Sequence, residues 1–310
     1  MMETGRRVAL QRIGLWAAAL TGGVSRLAPG QPLPEKSTML TRPIPSSRET
    51  IPVIGLGTWQ TFGVGAGVAD RAPLEGVLAA FFSMGGKVID SSPMYGSSEE
   101  VVGDLLVKSG LSRQCFIATK VWTSGKAAGI RQMQESMRKL QTSTIDLMQV
   151  HNLLDAHTHL DTLAEWKREG RVRYIGVTHY TTEGQNEVAK LIASRPVDFI
   201  QINYSIGERD AERRLLPLAA ERGVAVIANR PFAGGELFRS LRGKPVPGWA
   251  AEIGCYSWAQ LMLKFVISHP AMTCAIPASA KAEHTRDNMG AGHGPLPDEK
   301  MRARIAAAIA

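Results

Sequence analysis

The chain has 310 residues, 44% of them hydrophobic, and a formal charge of +8. That suffices for one large core of the size of a single α/β domain, roughly 250 residues, with a leader to spare. Residues 1–30 hold Arg6, Arg7, Arg12 and Arg26 against Glu3 and so carry +3, which leaves +5 for the rest. The body has no Lys/Arg cluster interleaved with aromatics, so a nucleic-acid partner is excluded. A mildly basic surface is compatible with attracting an anionic cofactor. Three cysteines, Cys115, Cys255 and Cys274, are too few and too scattered for a disulfide framework or a metal motif. They are expected to be buried small hydrophobes, and no metal is expected.

The chain opens with Gly5-Arg6-Arg7-Val8-Ala9, then a short apolar run over residues 13–20 and an exit rich in Pro29, Gly30, Pro32 and Pro34. This is similar to a twin-arginine export signal, and the run is too short for an ordinary membrane span. Gly5 and Ala9 depart from the Ser/Thr and Phe usual around the arginines, and no Ala-x-Ala site follows. Residues 1–30 are therefore expected to be an export signal or a leader without structure. Export would place the protein in the periplasm, touching a membrane only in transit; the alternative is the cytoplasm. Residues 31–49 are expected to be a linker and 50–310 a single folded domain.

Within that domain, residues 51–58 are predicted as the first strand. Leu74, Val77, Leu78, Phe81 and Phe82 then recur on one face of a helix. Lys87-Val88-Ile89-Asp90 forms the second strand and leads into Ser91-Ser92-Pro93-Met94-Tyr95-Gly96. Ser97 and Glu100 predict a capping box at the next helix start. Phe116-Ile117-Ala118-Thr119-Lys120 is the third strand, backed by a helix marked by Ile130, Met133, Met137 and Leu140. The fourth strand ends at His151. Residues 172–177 lead to Thr178-His179, residues 198–202 to Asn203-Tyr204, and residues 224–229 to a long Gly/Pro loop. Trp258, Leu261, Met262, Phe265 and Val266 mark a late helix, and Cys274-Ala275-Ile276-Pro277 is the eighth strand.

The intervals from Asp90 to Lys120 to His151 are 30 and 31 residues, about one strand plus one returning helix. Eight apolar strands alternating with helices, several ending in a polar residue, predict an α/β fold. It is a single (β/α)8 TIM barrel with its chemistry on the C-terminal rim.

Asp90, Tyr95, Lys120 and His151 together resemble the catalytic tetrad of the aldo-keto reductase family. A free tyrosine titrates near 10, so Tyr95 needs help to deliver a proton. A lysine beside it favours the phenolate and a carboxylate holds the lysine in place, the parts assigned to Lys120 and Asp90. In the family the histidine orients the substrate carbonyl and shares in proton delivery, which His151 would do here.

The resemblance spans roughly residues 42–294 and implies a nicotinamide cofactor, NADPH with NADH possible. Its binding set is expected to include Gly57, Thr58 and Asp90. Thr178 and His179 match a Ser/Thr-Asn pair on the carboxamide, with His where Asn is common. Gln201 matches another carboxamide ligand and Tyr204 an aromatic on which the nicotinamide ring stacks. Arg230, Pro231, Phe232 and Ala233 resemble the pyrophosphate loop. Ile276, Pro277, Ala278, Ser279, His284, Asp287 and Asn288 resemble the adenosine-phosphate clamp. Ala278 replaces a common Lys and His284 a common Arg, so the grip on the 2′-phosphate is expected to be weaker than usual. Trp59 and Trp122 are expected to line a substrate pocket.

The implied activity is NADPH-dependent reduction of a small-molecule carbonyl to an alcohol, by a chain assumed monomeric. The alternative is a cofactor-binding sensor of the same fold with little turnover. Two further patterns are read as decoys. Gly63-Val64-Gly65-Ala66-Gly67 lacks the spacing of a dinucleotide fingerprint and is expected to be a rim loop. His157-Thr158-His159, placed in a polar loop, lacks the second cluster that a metal-dependent hydrolase would need.

Overall fold

A computed structural model describes residues 38–309. The leader with Arg6 and Arg7, and the linker up to residue 37, lie outside the described residues. The chain enters through an antiparallel hairpin, β1 (Thr41–Pro43) paired with β2 (Thr50–Pro52). This corrects two expectations. Residues 51–58 are not one strand, and residues 41–49 belong to the fold rather than to a linker. The reason is apolar: Ile44 and Ile51 are almost fully buried and join the cluster that fills the barrel interior, so the hairpin stoppers it.

From there strands and helices alternate: β3 (Leu56–Gly57), α1 (Val68–Ser83), β4 (Val88–Asp90), α2 (Ser98–Ser109), β5 (Phe116–Val121), α3 (Lys126–Lys139), β6 (Ile145–His151) and α4 (Ala156–Arg168). The second half runs β7 (Val172–Thr178), α5 (Gly184–Ser194), β8 (Phe199–Asn203), α6 (Leu215–Glu221), β9 (Ala225–Asn229), α7 (Glu236–Ser240), α8 (Trp258–Ser268), β10 (Cys274–Ala275), α9 (Ala282–Gly290) and α10 (Glu299–Ile309). Strands β3 to β10 pair in sequence order, all parallel. Bridges Ile54 to Ala275 and Gly57 to Ala278 bring the last strand back to the first. A Cβ on Gly57 would fall 2.8 Å from the carbonyl oxygen of Ile276, so glycine is what lets this seam close. This is a (β/α)8 barrel. Among the described residues no helix is long and apolar enough to cross a membrane.

Side chains alternate across each strand, and every second residue points inward. The lower interior is apolar, with Val88, Phe116, Ala118, Leu147, Tyr174, Phe199, Ala225 and Ile227 in one cluster. Two residues further along the same faces come Asp90, Lys120, Gln149 and Gln201, and beyond these His151 and Asn203. The upper interior is thus a polar layer on an apolar floor. The opposite strand faces meet the helices: α1 buries Leu74, Val77, Leu78 and Phe81, and α8 buries Leu261, Met262, Phe265 and Val266. The predicted capping box does not form. Ser97 precedes α2, but its hydroxyl donates to the carbonyl of Val64 at 2.7 Å and ties down the glycine-rich rim loop instead.

Candidate active site

The polar layer is organised around Asp90. One carboxylate oxygen accepts from the Lys120 ammonium at 2.6 Å, and the other from the amides of Gln201 at 2.8 Å and Gln149 at 3.2 Å. Lys120 also donates to the Ser91 carbonyl at 2.7 Å. Lys120 is 0% exposed and Asp90 2%, so this ion pair is desolvated and survives on its full set of hydrogen bonds. Parallel register places the two partners on neighbouring strands, since Asp90 sits opposite Ala118 and Lys120 stands one pleat higher.

Tyr95 belongs to the turn after β4, where its amide donates to the Ser92 carbonyl. The Lys120 ammonium lies 5.1 Å from its ring centroid and interacts with its hydroxyl. Burial drives the Tyr95 pKa above the ordinary tyrosine value, and the attraction of Lys120 only partly offsets this. The phenol is therefore held protonated. Lys120 itself remains charged: burial opposes its charge, and Asp90 and Tyr95 more than restore it.

His151 ends β6 with its ring 5.8 Å from the Tyr95 ring, edge to face. Burial, reinforced by the charge on Lys120, pushes its pKa down to about 2, so the imidazole is neutral. Trp122, half-exposed on the rim, stands 6.3 Å from the His151 ring. Its backbone is clamped on both sides by Gln132 of α3. Asp90, Tyr95, Lys120, His151 and Trp122 thus converge at one mouth. Trp59 stands on the rim after β3, 45% exposed, with no ring contact to this group.

The expected cofactor residues are placed by the strands and loops around the barrel. Thr178 and Gln201 are buried and linked at 3.4 Å. His179 follows, its Nδ1 accepting from the Thr181 amide at 3.3 Å. A Cβ on Gly184 would come within 2.0 Å of that ring, so only glycine fits beneath it. Arg230 and Ala233 hold left-handed backbone, with φ of 49° and 50°. The Nε of Arg230, the Oδ1 of Asn229 and a carboxylate oxygen of the neighbouring Glu208 are buried without partners. Such orphaned groups suit a polar ligand that completes them. Ser279 and Asn288 are buried at the far edge, whereas Ala278 and His284 are exposed. Lys281 and His284 both lie 3.8 Å from Glu283. Thr58 is committed elsewhere, its hydroxyl donating to the Asp90 carbonyl at 3.1 Å and lying 3.0 Å from the Ser91 hydroxyl.

Two placements correct the sequence analysis. Tyr204 cannot be a stacking platform: it follows the last residue of β8 and turns away from the polar layer that holds Gln201. It is fully buried against Phe265, and its hydroxyl meets Glu212 at 2.5 Å and Arg302 at 3.0 Å. His159 lies not in a loop but in α4, its Nε2 2.6 Å from the Thr123 carbonyl oxygen. Residues missed by the sequence analysis are Gln149, which braces Asp90, and Ser92, whose hydroxyl is 3.0 Å from His151 Nδ1. Gln149 carried a signal, two residues before His151 and so on the same strand face. Ser92 carried none.

A parallel eight-stranded barrel with a buried Asp–Lys pair, a tyrosine above it and a neutral histidine at its mouth defines an aldo/keto reductase. Over residues 53–309 the chain matches the aldo/keto reductase family, to which it belongs. It is 30% identical over 247 residues to methylglyoxal reductase YeaE of Escherichia coli (strain K12), spanning 77% of this chain and 84% of that protein. Among solved structures it resembles an aldo/keto reductase from Klebsiella pneumoniae in complex with NADP and acetate, at 29% identity and TM-score 0.70, covering 84% of this chain and 92% of that one. A Klebsiella pneumoniae aldo-keto reductase in complex with NADPH aligns at 27% identity and TM-score 0.71, covering 87% and 95%.

Proposed function

We propose that the protein reduces a small-molecule aldehyde or ketone to an alcohol using NADPH. The observation that carries this is the desolvated Lys120–Asp90 pair set against Tyr95, with His151 across the same mouth. The reductase names of the relatives and the NADP and NADPH complexes of the Klebsiella proteins support it.

The residues present fit the cofactor. The orphaned polar atoms of Asn229, Arg230 and Glu208 and the paired Thr178 and Gln201 offer it a polar seat beside the mouth. When bound, NADPH supplies the hydride. Tyr95, held protonated, gives its proton to the carbonyl oxygen. Lys120 stabilises the phenolate left behind, and Asp90 with its two glutamine donors keeps Lys120 aimed. Neutral His151 donates a hydrogen bond to the same oxygen, and donors aimed at developing negative charge lower the barrier. Trp122 provides an apolar wall. Methylglyoxal, the substrate in the name of the Escherichia coli relative, belongs in the first panel of carbonyls to be tried.

Tyr95→Phe keeps the ring and removes the proton. It should lower single-turnover reduction, followed by NADPH fluorescence, by about a hundredfold or more while leaving NADPH affinity unchanged. Near wild-type reduction by Tyr95→Phe, or no turnover by the wild type with any carbonyl, would sink the proposal; the second result would leave a cofactor-binding sensor.

A further inference from the structure

We infer that Ser92 sets which ring nitrogen of His151 carries the proton, and so acts as a positioning residue for the carbonyl-facing histidine. The consequence for catalysis rests on the function proposed above; the assignment of the proton does not.

Ser92 is fully buried in the turn between β4 and α2, 59 residues away from His151 in sequence. Its Oγ lies 3.0 Å from Nδ1 of His151 and also receives the backbone N–H of Met94 at 3.3 Å. An amide N–H can only donate, so it occupies a lone pair of the hydroxyl oxygen and leaves the hydroxyl proton to find an acceptor. Nδ1 is the acceptor within reach. The opposite arrangement, with a proton on Nδ1, would crowd a second donor onto the same oxygen. It would also leave the hydroxyl proton of fully buried Ser92 without a partner, which is the more costly state. The favoured tautomer has a bare Nδ1 and a protonated Nε2, and Nε2–H becomes the ring's donor toward a bound carbonyl. Burial, reinforced by the charge on nearby Lys120, keeps a second proton off the ring.

The same residue also fixes the other partner. The Ser92 carbonyl accepts the Tyr95 amide at 3.0 Å, so one turn residue holds the tyrosine through its backbone and the histidine through its side chain. Relative placement of two donors on one oxygen is then set by a single short segment, with little freedom to drift.

Long-range proton–nitrogen NMR on full-length protein labelled at histidine nitrogen, with NADPH bound, reads the tautomer directly; His151→Gln assigns the signal. Wild type should show His151 protonated at Nε2 alone. Ser92→Ala removes the hydroxyl without adding bulk and should shift His151 toward a mixture of tautomers. It should also reduce kcat about tenfold, with NADPH affinity by fluorescence within about twofold of wild type. Ser92→Thr, which restores a hydroxyl, should recover the wild-type tautomer. A wild-type His151 protonated at Nδ1 would overturn the inference. So would an unchanged tautomer in Ser92→Ala, even with reduced activity, because Ser92 would then be acting only through packing. Should Tyr95→Phe retain full activity, the proposed function fails by itself, and the tautomer measurement still decides the role of Ser92.

Discussion

Lys120 and Asp90 are buried together away from solvent, and that makes them a sensitive point for stability as well as chemistry. Lys120→Met keeps the length of the stem and deletes the ammonium. The Asp90 carboxylate then retains two glutamine donors but loses its counter-charge, and the Ser91 carbonyl loses its donor. Breaking a buried pair on one side costs about 3–5 kcal/mol. For a domain of this size, at about 2 °C per kcal/mol, thermal unfolding should shift down by about 6–10 °C. Lys120→Met combined with Asp90→Asn removes the stranded charge and should recover more than half of the loss. Recovery stays incomplete because Ser91 remains unpaired. Both variants should be inactive, since neither leaves a cation beside Tyr95. Calorimetry of wild type, the two single variants and the double variant closes the cycle. A double variant as unstable as Lys120→Met would refute the reasoning, because the cost would then lie in lost packing and not in an uncompensated charge.

Other outcomes follow from the same geometry. Ala278 and His284 offer little fixed charge at the clamp, so NADPH should be preferred over NADH only modestly, and Ala278→Lys with His284→Arg should widen the gap through charge-assisted contacts; fluorescence titration of both cofactors checks this, and a native preference for NADH overturns it. With Tyr95 above its usual pKa and His151 at about 2, reduction should show no step near pH 6.5 and should fall only above the ordinary tyrosine value of about 10; a step near 6.5 that disappears in His151→Gln would contradict the neutral imidazole. The unfolded chain takes up a proton at His151 below about 6.5 and the folded one does not until about 2, so within that window stability should decline as pH falls, by up to about 1.4 kcal/mol per pH unit; denaturant titrations of wild type and His151→Gln should differ in that slope. We propose export through the Arg6–Arg7 leader, in which case cell fractionation should find the protein in the periplasm and Arg6→Lys with Arg7→Lys should retain it inside; a wild type confined to the cytoplasm would end that proposal.

What could be read from the sequence was whatever depends on spacing along one strand or between successive strands. Asp90, Lys120 and His151 were legible because each closes an apolar run at the interval of one strand and one helix, and parallel pairing in chain order then brings such ends together. Gln149 was legible by the same alternation and was passed over. Tyr204 was misplaced because its nearness to Gln201 was read along the chain, whereas it follows the last residue of β8 and turns away from the polar layer. The hairpin is hidden because its turn, Pro45-Ser46-Ser47, looks like linker, and because Ile51 seems to run on through Pro52 and Gly55 into β3, whereas the open floor of the barrel calls β2 away from it. Ser92 and His151 were beyond reach for a different reason. Their contact depends on how a turn after β4 leans over β6 with β5 between them, a distance set by strand register and barrel curvature and by no local pattern. Residues that carry charge at strand ends announce themselves, whereas the neutral hydroxyl that orients one of them looks like any other serine in a turn. Functional detail of that kind is visible only after the strands are in register.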